Sequence, residues 1–162
     1  MRLRLQSAEV RDRILFAARE EFLKNGFERA SIRAVAAAAS TSKSNIYNYF
    51  ADKDALFLAV VRPAMDSMDE TLAGFRAGNA RTASSGYSVD AQRRAIAALM
   101  AAVAAHTVGF RLLFFGAAGS GAQGYQDRMA RALGAVLQDW VARAAPDRSL
   151  SEFFVTSVAR FY

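Results

Sequence analysis

Residues 42–50 read Ser42-Lys43-Ser44-Asn45-Ile46-Tyr47-Asn48-Tyr49-Phe50 (SKSNIYNYF), and the fold turns on whether they form a strand or a helix. Aromatic and β-branched residues suit a pleated surface, so local composition leans towards a strand. A strand needs a partner, and no neighbouring segment supplies one. Wound as a helix capped by Ser42, the stretch sorts into two faces. Ile46, Tyr49 and Phe50 stand at i, i+3 and i+4 and turn inward, while Lys43, Ser44, Tyr47 and Asn48 point outward together. The expectation is a short helix with a polar outer face.

Upstream, Val10, Ile14, Ala17, Ala18, Phe22 and Leu23 recur at three- and four-residue steps, predicting a helix from about Ala8 to Asn25. Gly26 is placed to end it in a left-handed conformation, with Phe27 folding back on the last turn. Ser31 caps a second helix whose buried side is Ile32, Val35, Ala36 and Ala39. Its alanine run, Ala36–Ala39, lets another helix approach closely. Ser40 and Thr41 form the turn into the stretch quoted above.

Downstream, Asp52 caps a longer helix with the apolar row Leu56, Val60, Ala64, Met68, Leu72 and Phe75. Pro63 should kink it near residues 59–62, because proline removes a helix bond and crowds the preceding turn. Residues 76–88 (RAGNARTASSGYS) read as a flexible connection. The remainder reads as helical: Val89–Val108, with Ile96, Leu99, Met100 and Val103 inward; a short apolar piece, Phe110–Phe115, after Gly109; a glycine loop, Gly116–Gly124; and Tyr125–Ala145, with Met129, Ala132, Leu133, Val136, Leu137 and Trp140 inward. A last helix from Ser149 runs straight to Tyr162, a pattern expected of a chain whose natural form is longer. The fold class is therefore all-α, with a three-helix head (1–54) joined by a long fourth helix to a helical body (55–162).

The 162 residues are 53% hydrophobic and 22% charged, with a formal net charge of +6, a balance that favours an anionic partner. The absence of cysteine excludes disulfides, thiolate metal sites and cysteine nucleophiles, and a single histidine, His106, leaves little scope for a histidine-based triad or metal site. No carboxylate pair is placed for acid–base chemistry, and the glycine loop lacks the lysine–hydroxyl pair of a phosphate-binding loop. No enzyme, cofactor or metal is expected. The longest apolar run, Ala95–Ala105, is too short to span a bilayer, and the N-terminus carries no secretory signal, so a cytoplasmic location is expected.

Two short helices joined by a tight turn, the second with an outward polar face, form a helix-turn-helix, and the major groove of B-DNA admits one such helix. Lys43 can donate to phosphate or guanine. Asn48 can make a paired contact with adenine, as can Asn45 if the helix is rotated towards it. Tyr47 offers a hydroxyl to phosphate and a ring to a thymine methyl. Ser31 stands at a helix N-terminus that can face phosphate, and Lys53 could clamp the same backbone. The other class of reading is a helical protein–protein interaction module with a basic surface.

Residues Asn25–Val61 resemble the head of the TetR family of bacterial repressors. The resemblance rests on the glycine–aromatic close of the first helix and the hydroxyl residue opening the second. It rests equally on the SK-xx-hydrophobic-Y-x-YF recognition helix and the D-K-x-x-L start of the fourth. It implies a homodimer that binds a palindromic operator in double-stranded DNA and releases it when a small-molecule inducer enters the body. By position it implies DNA contacts from Ser31, Ser42, Lys43, Ser44, Asn45, Tyr47, Asn48 and Lys53. Three features depart from the pattern: Ser40 stands where such heads commonly have glycine, Pro63 lies in the helix that usually links body to head, and of the two long helices that usually form the dimer interface only the first is expected within these residues. In the body, Met100, His106, Phe110, Arg111, Phe114, Met129 and Trp140 are candidates to face a ligand, alongside Phe115, Phe153 and Phe154. At helical spacing the apolar ones are first of all core or interface.

Overall fold

The computed structural model describes residues 2–81 and 88–144, and all regular structure within them is helical. In chain order the elements are α1 (Arg2–Arg29), α2 (Ile32–Ala38), α3 (Lys43–Tyr49), α4 (Lys53–Arg81), α5 (Val89–Ala105), α6 (Thr107–Phe115) and α7 (Tyr125–Ala144). The expected helix from Ser149 lies outside the described residues. No single helix among those described is long and apolar enough to cross a membrane.

The chain divides into two compact units, residues 1–63 with 107–123, and residues 64–106 with 124–162. The first is larger than the head expected from the sequence. Its core gathers Ile14, Ala18 and Phe22 from α1, Val35 and Ala36 from α2, Ile46 from α3, and Leu56, Phe57 and Val61 from α4. From α6 and the turns after it, Phe110, Leu112, Leu113, Ala117 and Ala122 are buried too.

Gly26 breaks the geometry of α1 at φ 69°, ψ 174°, an extended left-handed conformation that only glycine adopts readily. The chain then makes one more helical turn to Arg29 instead of ending at Asn25. The break swings Phe27 inward, where its ring stacks on Phe22 (centroids 6.3 Å) and meets the edge of Phe57 (5.3 Å), while Phe22 and Phe57 are edge-on at 4.9 Å. Each such aromatic pair adds about 0.5–1.5 kcal/mol beyond the area it buries. The Phe27 N–H donates to the carbonyl of Gly116 at 2.8 Å, joining the α1–α2 corner to the end of α6.

The caps fall where the sequence places them. Ser31 Oγ accepts from Ala34 N–H at 3.4 Å, Ser42 Oγ from Asn45 N–H at 3.0 Å, and Asp52 Oδ1 from Ala55 N–H at 2.7 Å. Pro63 lies inside α4, which is continuous from Lys53 to Arg81. Two expectations change. The connection expected at 76–88 is helical up to Arg81, with 82–87 outside the described residues and Ser88 capping α5. The break after α5 falls at His106, not Gly109, which lies inside α6.

In the second unit Ala64, Met68, Leu72 and Phe75 of α4, Ala102 of α5, and Tyr125, Ala130 and Val136 of α7 are buried. The side of α5 expected to turn inward is only partly covered, with Leu99 and Val103 half-buried and Ile96 (46%) and Met100 (56%) exposed. Trp140 sits 6.4 Å from Phe75, centroid to centroid. The Tyr125 hydroxyl donates to the Met65 carbonyl at 3.4 Å. Burial, helped by the negative charge of Asp69 and opposed by Arg128, pushes the Tyr125 phenol up to about 12. A phenol raised in the folded state contributes stability that is present below its ordinary value of about 10 and is lost as pH climbs towards the folded value. Tyr125→Phe should therefore flatten the fall in stability across that alkaline window, followed by urea midpoints against pH; an unaltered profile would mean that another group governs it.

Among the described residues Ser40 is the one non-glycine with positive φ (51°), in the turn between α2 and α3. Left-handed backbone costs a residue with a Cβ roughly 1–2 kcal/mol, partly offset by glycine's greater freedom when unfolded. Ser40→Gly is expected to raise stability by about 0.5–1 kcal/mol, read as a higher urea midpoint at constant slope. A lowered midpoint would show that the serine side chain contributes more than the strain removes.

Candidate nucleic-acid interface

The outer face of α3 is built by what lies behind it. Ile46 is fully buried and Phe50, in extended conformation just past the helix end, is 6% exposed, so two apolar anchors hold a seven-residue helix against the core. A helix this short has no stability of its own in water, and its conformation comes from these anchors and the Ser42 cap. Lys43, Ser44, Tyr47 and Asn48 are exposed along one side. The Lys43 ammonium lies 5.7 Å from the centre of the Tyr47 ring. Tyr49 is half-buried and its hydroxyl accepts from Ser7 Oγ at 3.3 Å, tying α3 to α1. Arg11 covers the Phe50 ring at 5.6 Å.

The remaining DNA candidates are placed differently. Asn45 is half-buried, and its side-chain amide donates to Thr41 Oγ1 at 2.8 Å. Ser31 is exposed at the start of α2, but its N–H already donates to Glu21 Oε1 at 2.9 Å, the same oxygen that accepts from the Asn25 amide. The Lys53 ammonium is directed into the head: it donates to the carbonyls of Glu28 (3.0 Å) and Ala30 (3.4 Å) and lies 4.6 Å from the centre of the Phe27 ring. It thus serves carbonyls at the α1–α2 corner that α1 no longer satisfies. Its neighbour Asp54 accepts the N–H of Gly121 at 2.7 Å through Oδ1. A Cβ on Gly121 would stand 2.7 Å from Asp54 Oδ2, so glycine is what lets the loop come this close.

Glu21 and Asp54 had no role in the sequence reading, and Thr41 figured there only as part of the turn. Glu21 reaches Ser31 ten residues on and Asp54 reaches Gly121 67 residues on, whereas the Thr41–Asn45 and Glu21–Asn25 pairs have the local four-residue spacing. Of the proposed ligand-facing residues, Phe110, Arg111 and Phe114 belong to the first unit and Met100, His106, Met129 and Trp140 to the second. Phe110 is buried and 6.0 Å from Phe114, whereas Arg111 and Met100 are exposed. His106 caps α5, its N–H donating to the Val103 carbonyl at 3.2 Å. Two shallow hollows of about 530 and 220 Å³ lie along the α1–α4 furrow, sharing Leu15, Ala59 and Pro63; neither is lined by any of these seven residues.

Residues 14–60 match the family model described as bacterial regulatory proteins, tetR family. The head is thus similar to that of the TetR family. Among curated proteins, the transcriptional regulator UidR of Escherichia coli (strain K12) is 35% identical over 74 residues, which are 46% of this chain and 36% of UidR. The transcriptional repressor AcnR of Corynebacterium efficiens is 39% identical over 62 residues, 38% of this chain and 33% of AcnR. The regulator RutR of E. coli (strain K12) is 38% identical over 63 residues, 39% of this chain and 30% of RutR. The matched stretch thus spans about a third of each relative.

In the TetR-type head of this chain, Lys53 has two possible duties that separate in an experiment. Lys53→Met removes the charged hydrogen bonds to the corner carbonyls and the contact with Phe27. It is expected to lower stability by about 1–2 kcal/mol, measured by urea unfolding. An unchanged midpoint accompanied by weakened DNA retention would instead return Lys53 to the phosphate backbone.

Proposed function

We propose that the chain is a sequence-specific, DNA-binding transcriptional repressor that acts as a homodimer on a palindromic operator and lets go when a small molecule binds its body. The observation that carries this is the row Lys43, Ser44, Tyr47 and Asn48, exposed on one side of α3 and backed by buried Ile46 and Phe50 in a TetR-type head. A cation, hydroxyls and a carboxamide on a helix of groove-filling width are the groups that meet phosphate oxygens and base edges. Arg33, exposed on α2, adds a cation beside Ser31. The net charge of +6 favours a polyanion. Repression is favoured by the similarity to AcnR, and the operator symmetry, the dimer and the ligand by the family resemblance. An α3 face that recognises duplex DNA suits a protein working beside the chromosome in the cytoplasm.

Selection from random duplexes by the purified chain, followed by sequencing, tests the reading. A two-fold symmetric motif with half-sites about one helical turn apart is the expected result; an unenriched pool overturns it. On the selected operator, Tyr47→Ala and Lys43→Ala should each weaken binding by about 1–3 kcal/mol, with Lys43→Ala also reducing the salt slope by about one. Normal binding by both variants, folded as judged by circular dichroism, would remove α3 from the interface.

A further inference from the structure

Resting on the DNA-reading function above, we infer that Thr41, Asn45 and Asn48 form a side-chain relay that sets Asn48 to read one adenine in each half-site, with Thr41 and Asn45 as positioning residues. The relay begins in the turn. Thr41 N–H donates to the Ala36 carbonyl at 2.9 Å and Ser40 N–H to the Ala37 carbonyl at 3.1 Å, so the end of α2 holds the backbone that leads into the Thr41 side chain. Thr41 Oγ1 accepts from Asn45 Nδ2 at 2.8 Å, and Asn45 Oδ1 accepts from Asn48 Nδ2 at 3.3 Å.

This assigns the two asparagines different duties. Asn45 is half-buried with both ends of its carboxamide engaged by protein, so it cannot present a complete edge to a base. Asn48 is exposed and gives up one of its two amide hydrogens to Asn45. It keeps the carbonyl oxygen and the second N–H, an adjacent acceptor and donor. Adenine alone presents the complement in the major groove, the N6 donor beside the N7 acceptor; guanine offers two acceptors there. Because the bond to Asn45 tells oxygen from nitrogen on Asn48, it also fixes which end of the carboxamide is which. Released from Asn45, the amide can turn over and the register of its donor and acceptor against the base edge is lost. The strained turn at Ser40 thereby acquires a use, since it sets where Thr41 places the first link.

The test is duplex selection with the full chain, run in parallel on wild type, Asn48→Ala, Thr41→Val and Thr41→Ser, with preference scored base by base. Wild type should select adenine at one position in each half-site. Asn48→Ala should lose that preference, roughly ten- to a hundredfold, at that position alone. Thr41→Val keeps the branched shape but offers no acceptor, and should weaken the same preference several-fold while the salt slope, a measure of phosphate contacts, does not move. Thr41→Ser restores the hydroxyl and should restore the preference, which separates the relay from a merely structural role for the turn. Adenine selection that survives Asn48→Ala, or that is intact in Thr41→Val, overturns the inference while leaving DNA reading standing. A wild-type pool without enrichment overturns both.

Discussion

Phe27 is the joint on which the first compact unit depends. Its ring is held between Phe22 of α1 and Phe57 of α4, its N–H is taken by the Gly116 carbonyl, and the Lys53 ammonium lies against it. Burying such a side chain contributes about 1.5–3 kcal/mol, but its larger effect is geometric. Three segments, α1, the start of α4 and the end of α6, meet at one residue, so the direction in which α2 leaves α1 is set by the same contact that seats the start of α4. Gly26 makes this possible, since a Cβ at φ 69° would resist the turn that brings Phe27 inward.

What this joint holds steady is a presentation surface. α3 is too short to persist alone and survives because Ile46 and Phe50 are buried behind it. Labour is divided along these nine residues: Ile46 and Phe50 fasten the helix by burial, and Ser42 and Tyr49 add a cap and a bond to Ser7. Exposed Lys43, Ser44, Tyr47 and Asn48 are free to be chosen for what they touch outside the protein. Asn45 stands between the two groups, polar yet turned into the turn behind it.

Much of the head was legible because its signals are local. The caps Ser31, Ser42 and Asp52 act on N–H groups three residues on, and Ile32, Val35, Ala36 and Ala39 repeat at helical spacing, so both were readable in one pass along the chain. Errors arose where a residue permits a structure without requiring it. Gly109 could have ended a helix and instead lies within α6, and the glycine and asparagine of residues 76–81 were outweighed by helix-favouring neighbours. On α4 the row chosen from the sequence put Val60 inside, whereas Phe57 and Val61 are fully buried and Val60 is half-exposed. Adjacent apolar residues on one helix compete for the same face, and only the neighbouring helices decide between them.

The sequence by itself determined that this chain is helical, that residues 42–50 form a helix with a polar outer face, and that the head resembles the TetR type. These follow from periodicity, capping and short-range spacing, which are properties of a single segment. Tertiary structure alone decided how the polar groups are spent. Lys53 turns inward because carbonyls 23 and 25 residues earlier end beside it, Asp54 meets Gly121 across 67 residues, and residues 107–123 join the head's compact unit. A side chain's hydrogen-bonding capacity is written in its residue type, but its partner is whatever the folded chain brings within about 3 Å.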